Sequence, residues 1–188
     1  MLPLMERYAP PEDTRLPAEE YAPVVSMITA YLQGDDIPFQ HVFTADGTQY
    51  AAFNQKEQHH MADVQDLFRL CHGGGWVCAA LVIALAITLR KDFPWRAVSR
   101  TLIAILATVT VLIILACVDF NNLFVLFHRI AFTNNLWLLN PQTDLLIRLM
   151  PLEFFISYAA IIGGLWLLGM IGRLIISTVF IRKAKERE

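Results

Sequence analysis

Three long apolar segments mark the chain from its middle to its end. Residues 73–89 and 101–118 carry no Asp, Glu, Lys or Arg, and residues 154–181 carry only Arg173. A hydrocarbon core of about 30 Å is crossed by roughly 20 apolar residues of helix, with about 17 to 25 tolerated. The pattern therefore predicts three membrane-spanning helices.

Two shorter stretches show helical spacing of apolar residues outside those spans. Within residues 17–33, apolar positions recur every three or four residues and stop at Gly34, which predicts one amphipathic helix. A second pattern begins at about Gln55 and leads into the first span. Its predicted apolar stripe consists of His60, Val64, Leu67, Phe68 and Cys71.

A hairpin is predicted between these two helices. Residues 39–44 and 48–53 are rich in aromatic and β-branched side chains, and Asp46-Gly47 lies between them. An Asp-Gly pair supplies the positive φ angles of a tight turn. Because an isolated two-stranded hairpin is marginal in water, we expect it to pack on the helices or on the membrane surface.

The segment 119–153 joins the second and third spans and contains one more predicted helix. Asn140 followed by Pro141 is typical of an N-cap and a first helical residue, and Pro151 ends the pattern. Such a short apolar helix is expected to lie in the membrane interface. Its predicted apolar face consists of Leu145, Leu146, Leu149 and Met150.

The composition agrees with a membrane protein and excludes one class of partner. Hydrophobic residues make up 56% of the 188 residues and charged residues only 17%, an unusual balance for a small soluble domain. The net charge of -2, without a cluster of Lys and Arg, gives nucleic-acid phosphates nothing to bind. No nucleic-acid partner is expected.

Charge also predicts the orientation of the chain. The linker 90–100 contains four basic residues and one acidic residue, and the tail 182–188 begins with basic side chains. Both are therefore expected in the cytoplasm by the positive-inside rule. The predicted organisation is an extracytoplasmic segment 1–72, a transmembrane bundle 73–181 whose loop 119–153 faces outward, and a cytoplasmic basic tail 182–188.

This orientation raises a question about the start of the chain. Residues 1–72 hold eleven acidic and four basic side chains, so they do not cross a bilayer unaided. Met1–Met5 is too short for a signal peptide or a span. We therefore expect a further apolar helix upstream of the present start.

Two histidines stand out as candidate chemistry on the outward side. His60 lies on the predicted stripe, whereas His59 is set toward solvent, and Asp63 is spaced to reach either ring. A carboxylate there would orient an imidazole and raise its basicity. His128 lies among Phe124, Phe127 and Phe132, where an ionisable ring is costly without a partner or a task.

Other interpretations of these residues remain open. The His59-His60 pair can be a surface feature that happens to precede a span, and His128 can be a hydrogen-bonded part of the scaffold. Asp144 can simply support a helix N-terminus. No serine is placed for a covalent mechanism, and the histidine spacing does not match His-Glu-x-x-His, so neither a metal nor a cofactor is expected.

Two blocks of the chain together resemble a known family. These blocks are the run His60-Met61-Ala62-Asp63-Val64 and the longer block that includes Phe127-His128, Trp137-Leu138-Leu139-Asn140-Pro141, Thr143 to Arg148, Pro151 and Phe154-Phe155. They resemble the bacterial lipoprotein intramolecular transacylases. The resemblance implies an all-α integral membrane bundle of four helices, of which three transmembrane helices are visible here, with a small extracytoplasmic cap that includes the β-hairpin.

The resemblance also implies an activity and a site. Enzymes of this family move the sn-2 acyl chain of a diacylglyceryl-modified N-terminal cysteine to the α-amine of that residue, which leaves a lyso-form lipoprotein. The implied partners are such lipoproteins and membrane lipids, in the bacterial cell membrane with the active site on the extracytoplasmic face. The implied catalytic residues are His128 and His60; the supporting residues are Asp63, Trp137, Asn140, Asp144 and Arg148.

Two other functions are compatible with the residues. The chain can be a non-catalytic membrane subunit whose outer segment docks a partner, with the histidines used for packing or pH sensing. It can also be a metal-dependent membrane hydrolase of lipids or peptides.

Overall fold

The structure is a computed structural model that describes residues 1–89 and 94–185. The elements, in chain order, are α1 (Leu2–Tyr8), α2 (Pro11–Thr14), α3 (Ala18–Gln33), β1 (Val42–Ala45), β2 (Thr48–Ala51), α4 (Gln55–Thr88), α5 (Trp95–Val118), α6 (Phe120–Ala131), α7 (Leu145–Leu149) and α8 (Leu152–Lys185). The start of the predicted basic linker, residues 90–93, and the end of the predicted tail, residues 186–188, lie outside the described residues.

The three predicted spans are confirmed. In the described part of the chain, three helices are long and apolar enough to cross a membrane, over Gln55–Thr88, Trp95–Val118 and Leu152–Phe180. The charged side chains of α4 end at Arg69. Its apolar membrane-spanning segment is therefore residues 73–88, and residues 55–72 precede that segment.

The chain divides into two compact units, which are described separately. The first consists of Met1–Gly74 and Val125–Ser157, and the second of Gly75–Phe124 and Tyr158–Glu188. In the second unit, the Ser177 hydroxyl donates to the Trp95 carbonyl at 3.3 Å, and the Trp95 and Phe180 rings stack at 4.6 Å. Large apolar side chains on its helices are mostly exposed, as expected of surfaces that face lipid tails.

The first unit has its own apolar core, built around α3. The predicted stripe of that helix is buried at Tyr21, Val24, Val25, Ile28 and Tyr31. Both α1 and α2 contact α3, and α2 also contacts α7. The apolar face predicted for the short helix is buried as well, since Leu145, Leu146, Leu149 and Met150 are each at most 8% exposed.

The β-hairpin is confirmed at its predicted turn. The two strands are antiparallel with Ala45 paired to Thr48, and Asp46 and Gly47 between them have φ angles of 51° and 75°. Positive φ at both turn residues matches the twist of the strands. The hairpin is anchored by its flanks: the buried rings of Phe39 and Phe53 pack at 4.7 Å, and Phe39 packs on Tyr31 of α3 at 5.0 Å.

The face that α4 buries differs in part from the predicted stripe. His60 is buried as expected, but Phe68 and Cys71 are exposed. The buried residues are Glu57, His60, Met61 and Gln65. The prediction failed at Phe68 and Cys71 because a polar residue, Gln65, takes the inward position and donates to the Tyr31 carbonyl at 2.8 Å.

The short helix α7 begins later than predicted. Asn140 does not cap it; instead its carbonyl accepts the backbone N–H groups of Thr143 and Asp144, which closes a separate turn. Asp144 then occupies the N-cap position with extended backbone and makes no capping bond with its side chain. The placement of Asn140 and Pro141 at the helix start was therefore wrong, because the Asn140 side-chain oxygen accepts the Gln142 N–H at 3.0 Å within this separate turn.

One buried hydrogen bond in this core gives a stability test. The Tyr21 hydroxyl donates to the Ala9 carbonyl at 2.6 Å, and both residues are about 2% exposed. Tyr21→Phe would leave that carbonyl buried without its donor, so the free energy of unfolding in detergent should fall by about 1 to 3 kcal/mol. Tyr50→Phe, on the exposed face of β2, is the matched control and should change it little.

Candidate active site

The two histidines singled out in the sequence lie together in the first unit. His60 comes from α4 and His128 from α6, and their ring centroids are 6.1 Å apart with the planes inclined by 36°. They are 6% and 8% exposed, respectively. The neighbouring His59 is exposed, so the preference for His60 over His59 agrees with the side that α4 buries.

Aromatic side chains surround the pair. The Phe132 ring lies 5.2 Å from that of His60 and 5.5 Å from that of His128, and Trp137 packs on His128 at 5.2 Å. We refer to His60, His128, Phe132 and Trp137 as the histidine cluster. His128 lies in the last turn of α6, and Phe132 and Trp137 lie in the segment that follows this helix. One short stretch of chain therefore supplies three of the four residues of the cluster.

The environment of His60 keeps its imidazole neutral. Burial is the main cause that lowers its pKa from 6.5 to about 4; the nearby His128 and Lys56 lower it further, and Asp63 opposes them. At neutral pH the ring therefore has one N–H donor and one acceptor nitrogen. Its buried Nδ1 has no hydrogen-bond partner among the described residues.

Asp63 contacts Asn134 instead of a histidine. Its Oδ2 accepts the Asn134 side-chain amide at 2.8 Å. Within the described ranges, no hydrogen bond joins Asp63 to His59 or His60, although the helical spacing made either ring reachable. The effect of Asp63 on His60 is therefore one of charge, since a carboxylate favours the protonated ring.

The start of α4 holds a buried carboxylate that the sequence analysis missed. Asn54 and Glu57 bond reciprocally: the Glu57 N–H donates to Asn54 Oδ1 at 3.0 Å, and the Asn54 N–H donates to Glu57 Oε2 at 2.8 Å. The second carboxylate oxygen, Oε1, accepts the N–H of Leu146 at 2.7 Å. The Asn-x-x-Glu spacing of a capping box was the available signal.

Glu57 thereby fixes the first turn of α7 onto the start of α4. The side chain is 1% exposed. Burial raises the pKa of Glu57, against the hydrogen bonds from the Leu146 and Asn54 backbone. A carboxylate buried this deeply is tolerated because each of its oxygens accepts a backbone N–H.

Asp144 organises the loop before α7. Its carboxylate accepts the Asn140 N–H at 2.7 Å, the Thr143 hydroxyl at 2.8 Å and the Asn54 side-chain amide at 2.9 Å. Burial alone would raise the pKa of Asp144, but these bonds and the Lys56 ammonium outweigh it, so the pKa lies below its usual value. Asp144 is thus an ionised anchor for the loop.

Arg148 belongs with these carboxylates. Burial and the nearby Arg15 lower its pKa, while Glu57 and Asp144 raise it. Its Nε and Nη1 atoms are buried and have no hydrogen-bond partner within residues 1–89 and 94–185. The structure therefore brings predicted site residues together in two groups. Trp137 lies with His60 and His128, and Asn140 and Arg148 lie with Asp144.

Two clefts flank the segment that follows α6, and both share Phe132, Thr133 and Asn134. The first, of about 270 Å³, is also lined by Asp63, Asp66, Leu67, Leu70 and Ala131. The second, of about 350 Å³, is also lined by Arg129, Asn135, Trp137 and Leu138. Each cleft has apolar and polar walls and is lined by Phe132 or by Phe132 and Trp137 of the histidine cluster, but by neither His60 nor His128.

The described residues hold no group of three His, Cys, Asp or Glu side chains that could bind a metal ion. The chemistry available in the cluster is proton transfer and hydrogen bonding by imidazole. Fold and site thus define a class: an integral membrane protein of long apolar helices, with two buried histidines in one of its two compact units.

Comparison with known proteins identifies the family. The family model of the lipoprotein intramolecular transacylase Lit matches residues 4–155. The chain belongs to this family, whose members are acyltransferases. A search of the curated proteins found no match.

Solved structures confirm the fold. The membrane-integral lipoprotein intramolecular transacylase Lit from Bacillus cereus matches with 22% identity and a TM-score of 0.75, over 95% of this chain and 80% of that one. A variant of the same protein with one histidine replaced by arginine matches at 21% and 0.72, over 95% and 77%. Its counterpart with alanine at that position matches at 21% and 0.69, over 94% and 77%.

The lowered pKa of His60 gives a pH test of stability. Between about pH 6.5 and 4 the unfolded chain binds a proton at this ring and the folded chain does not, so folding stability should fall as the pH falls through this range. The contribution is up to about 3 kcal/mol. Unfolding of the wild type should therefore depend on pH more steeply than that of His60→Gln, which does not titrate. His59→Gln should follow the wild type, and parallel curves for the wild type and His60→Gln would contradict the assignment.

Proposed function

We propose that this protein transfers the sn-2 acyl chain of a diacylglyceryl-modified lipoprotein to the α-amine of its own N-terminal cysteine, with His128 as the principal acid and base. The observation that carries the proposal is the contact between the rings of His128 and His60 in a buried aromatic cluster. The family name supports a lipoprotein as the substrate.

The reaction has a simple proton balance that one imidazole can serve. The neutral α-amine attacks the sn-2 ester carbonyl, the N–C bond forms, and His128 accepts the proton that the nitrogen loses. The ester C–O bond then breaks, and the same proton passes from His128 to the departing sn-2 oxygen. A free α-amine has a pKa of about 8, so part of it is neutral near pH 7, and imidazole is the side chain whose ordinary pKa lies nearest to that pH.

His60 is suited to the second task, the stabilisation of charge on the carbonyl oxygen. A neutral imidazole keeps one N–H to donate to the oxyanion of the tetrahedral intermediate. The low pKa of His60 supports this role over proton shuttling, because a ring that is neutral at pH 7 has no extra proton to give. We therefore assign His60 as the hydrogen-bonding partner of His128.

The substrate supplies both the acyl donor and the acceptor, so no acyl-enzyme is required. When donor and acceptor belong to one molecule, correct orientation alone accounts for a large part of the rate. The two clefts that share Phe132 offer both apolar and polar walls next to the cluster. In this assignment Asn140 and Asp144 shape the site, and Arg148 contacts a carbonyl or a lipid headgroup.

Substitution of the histidines tests the mechanism. His128→Ala should lower the conversion of diacyl lipoprotein to the lyso form by at least about a hundredfold, since general acid and base catalysis contributes about 10² to 10⁴. His60→Ala should lower it by a similar factor, because an oxyanion donor contributes about 10² to 10³. The measurement is mass spectrometry of the N-terminal lipopeptide after expression in a host that makes diacyl lipoproteins.

His59→Ala is the matched control, because His59 is the exposed neighbour of His60 on the same helix. Its activity should equal that of the wild type. Full conversion by His128→Ala would refute the mechanism. A docking subunit would lose association with its partner and leave lipoprotein acylation unchanged, and a metal-dependent hydrolase would lose activity with a chelator.

We further propose that the protein lies in the bacterial cell membrane with the first unit on the extracytoplasmic face. In a chain without its native cysteines, Gln49→Cys on the exposed hairpin should react with a membrane-impermeant maleimide in intact cells. Arg96→Cys, at the start of α5, should react only after lysis. The reverse pattern would place the site on the cytoplasmic side.

A further inference from the structure

Two side chains of α4 hold the segment that carries Trp137. At one end of that segment, Asp63 accepts the side-chain amide of Asn134 at 2.8 Å. At the other end, the Lys56 ammonium donates to the carbonyl of Leu138. The segment 134–138 is therefore attached to one helix at both ends.

The attachments lie on the face of α4 that bears His60. Lys56, His60 and Asp63 stand at positions i, i+4 and i+7, which share one face of a helix. His60 thus lies between the two attachments along the helix. The Lys-x₃-His-x₂-Asp spacing that produces this arrangement is readable in the sequence, but the partners of Lys56 and Asp63 are not.

Bonds within the segment make it stiff between these two points. The Trp137 indole N–H donates to the Asn134 carbonyl at 3.0 Å, and the Leu136 N–H donates to Asn134 Oδ1 at 3.0 Å. Asn134 therefore connects Asp63 to the Trp137 indole, and the position of the indole depends on that of Asp63. The indole in turn packs on His128 at 5.2 Å.

We infer that Lys56 and Asp63 are positioning residues that clasp segment 134–138 and so hold Trp137 against His128 beside His60. This inference rests on the proposed function, since it concerns the residues assigned there as catalytic. It gives Asp63 a role through Asn134 in place of a direct bond to an imidazole. Neither residue needs to touch the substrate.

Lys56 and Asp63 also carry charges that act on His60. Lys56 and His128 disfavour its protonated form, and Asp63 favours it; these three are the ionisable groups that act on the ring. Lys56 has a further contact with Asp144 at 4.0 Å, which ties it to the loop before α7. Substitution of Lys56 or Asp63 by an apolar residue should therefore alter both the geometry of the histidine cluster and the electrostatic potential at His60.

Fluorescence of Trp137 reports whether segment 134–138 holds its indole against His128. In a chain with Trp76, Trp95 and Trp166 replaced by Phe, the only indole is Trp137. A protonated imidazole in contact with an indole quenches its emission, and the His128 and Trp137 rings pack at 5.2 Å, so acidification should quench Trp137 while segment 134–138 stays in place. Lys56→Met and Asp63→Ala should each lose most of that quenching, and their lipoprotein conversion should show kcat lowered about ten- to a hundredfold with little change in KM.

Three variants serve as controls. Lys56→Arg keeps a donor for the Leu138 carbonyl, and Asp63→Asn keeps an acceptor for Asn134, so both should retain the quenching. Arg69→Met removes an exposed cation from the same helix that pairs with Asp66 at 3.2 Å, and it should leave the quenching unchanged. Should Lys56→Met fail to fold, Lys56→Gln replaces it, with partial loss of quenching expected.

Two results would overturn the inference: wild-type quenching in both Lys56→Met and Asp63→Ala, or an equal loss in Arg69→Met. Its failure is separable from failure of the proposed function. The quenching requires no turnover, whereas the proposed function is decided by the activity of His128→Ala. If the quenching behaves as expected but His128→Ala is fully active, the positioning role of Lys56 and Asp63 is supported and the catalytic role of His128 is rejected.

Discussion

A protonated imidazole is disfavoured where it is buried and a second imidazole lies beside it. Burial is the main cause that disfavours the charged form of His60, and the neighbouring His128 adds to that effect. The Phe132 ring lies 5.2 Å from that of His60 and 5.5 Å from that of His128, so it packs against both. The hydrogen-bonding role proposed for His60 depends on this one constraint, which keeps its ring neutral.

The start of α4 supplies most of what holds the site together. Within three turns it carries Glu57, which fixes α7, and Lys56 and Asp63, which hold segment 134–138 on either side of His60. These residues precede the apolar part of the helix, so their charges stay outside the hydrocarbon, where ionised groups are expensive. One continuous helix thus carries both a membrane span and the frame of the site.

Features that depend on a local sequence pattern could be predicted, whereas features that depend on contacts between distant residues could not. The spans, the Asp46-Gly47 turn and the inward face at His60 follow from periodicity and turn chemistry, and all three are confirmed. The Asn140 cap was wrong because Asn140 closes a separate turn and Asp144 takes the N-cap position, where Asn54, a residue far away in the chain, donates to its carboxylate. Lys56 was missed because its partner, Leu138, lies beyond any local pattern. Glu57 had a local signal in its spacing from Asn54, but its bond to Leu146 had none.

The two buried carboxylates show why so much of the unit is devoted to holding its parts in place. Burial raises the pKa of Glu57, whereas hydrogen bonds and Lys56 bring that of Asp144 below its usual value, although both lie at the junction of α4 and the α7 loop. Neither is needed as a nucleophile if the substrate brings its own amine and ester together. The proposed reaction would require two imidazoles to be fixed relative to one flexible lipid, and rigid anchors around them are a means to do so.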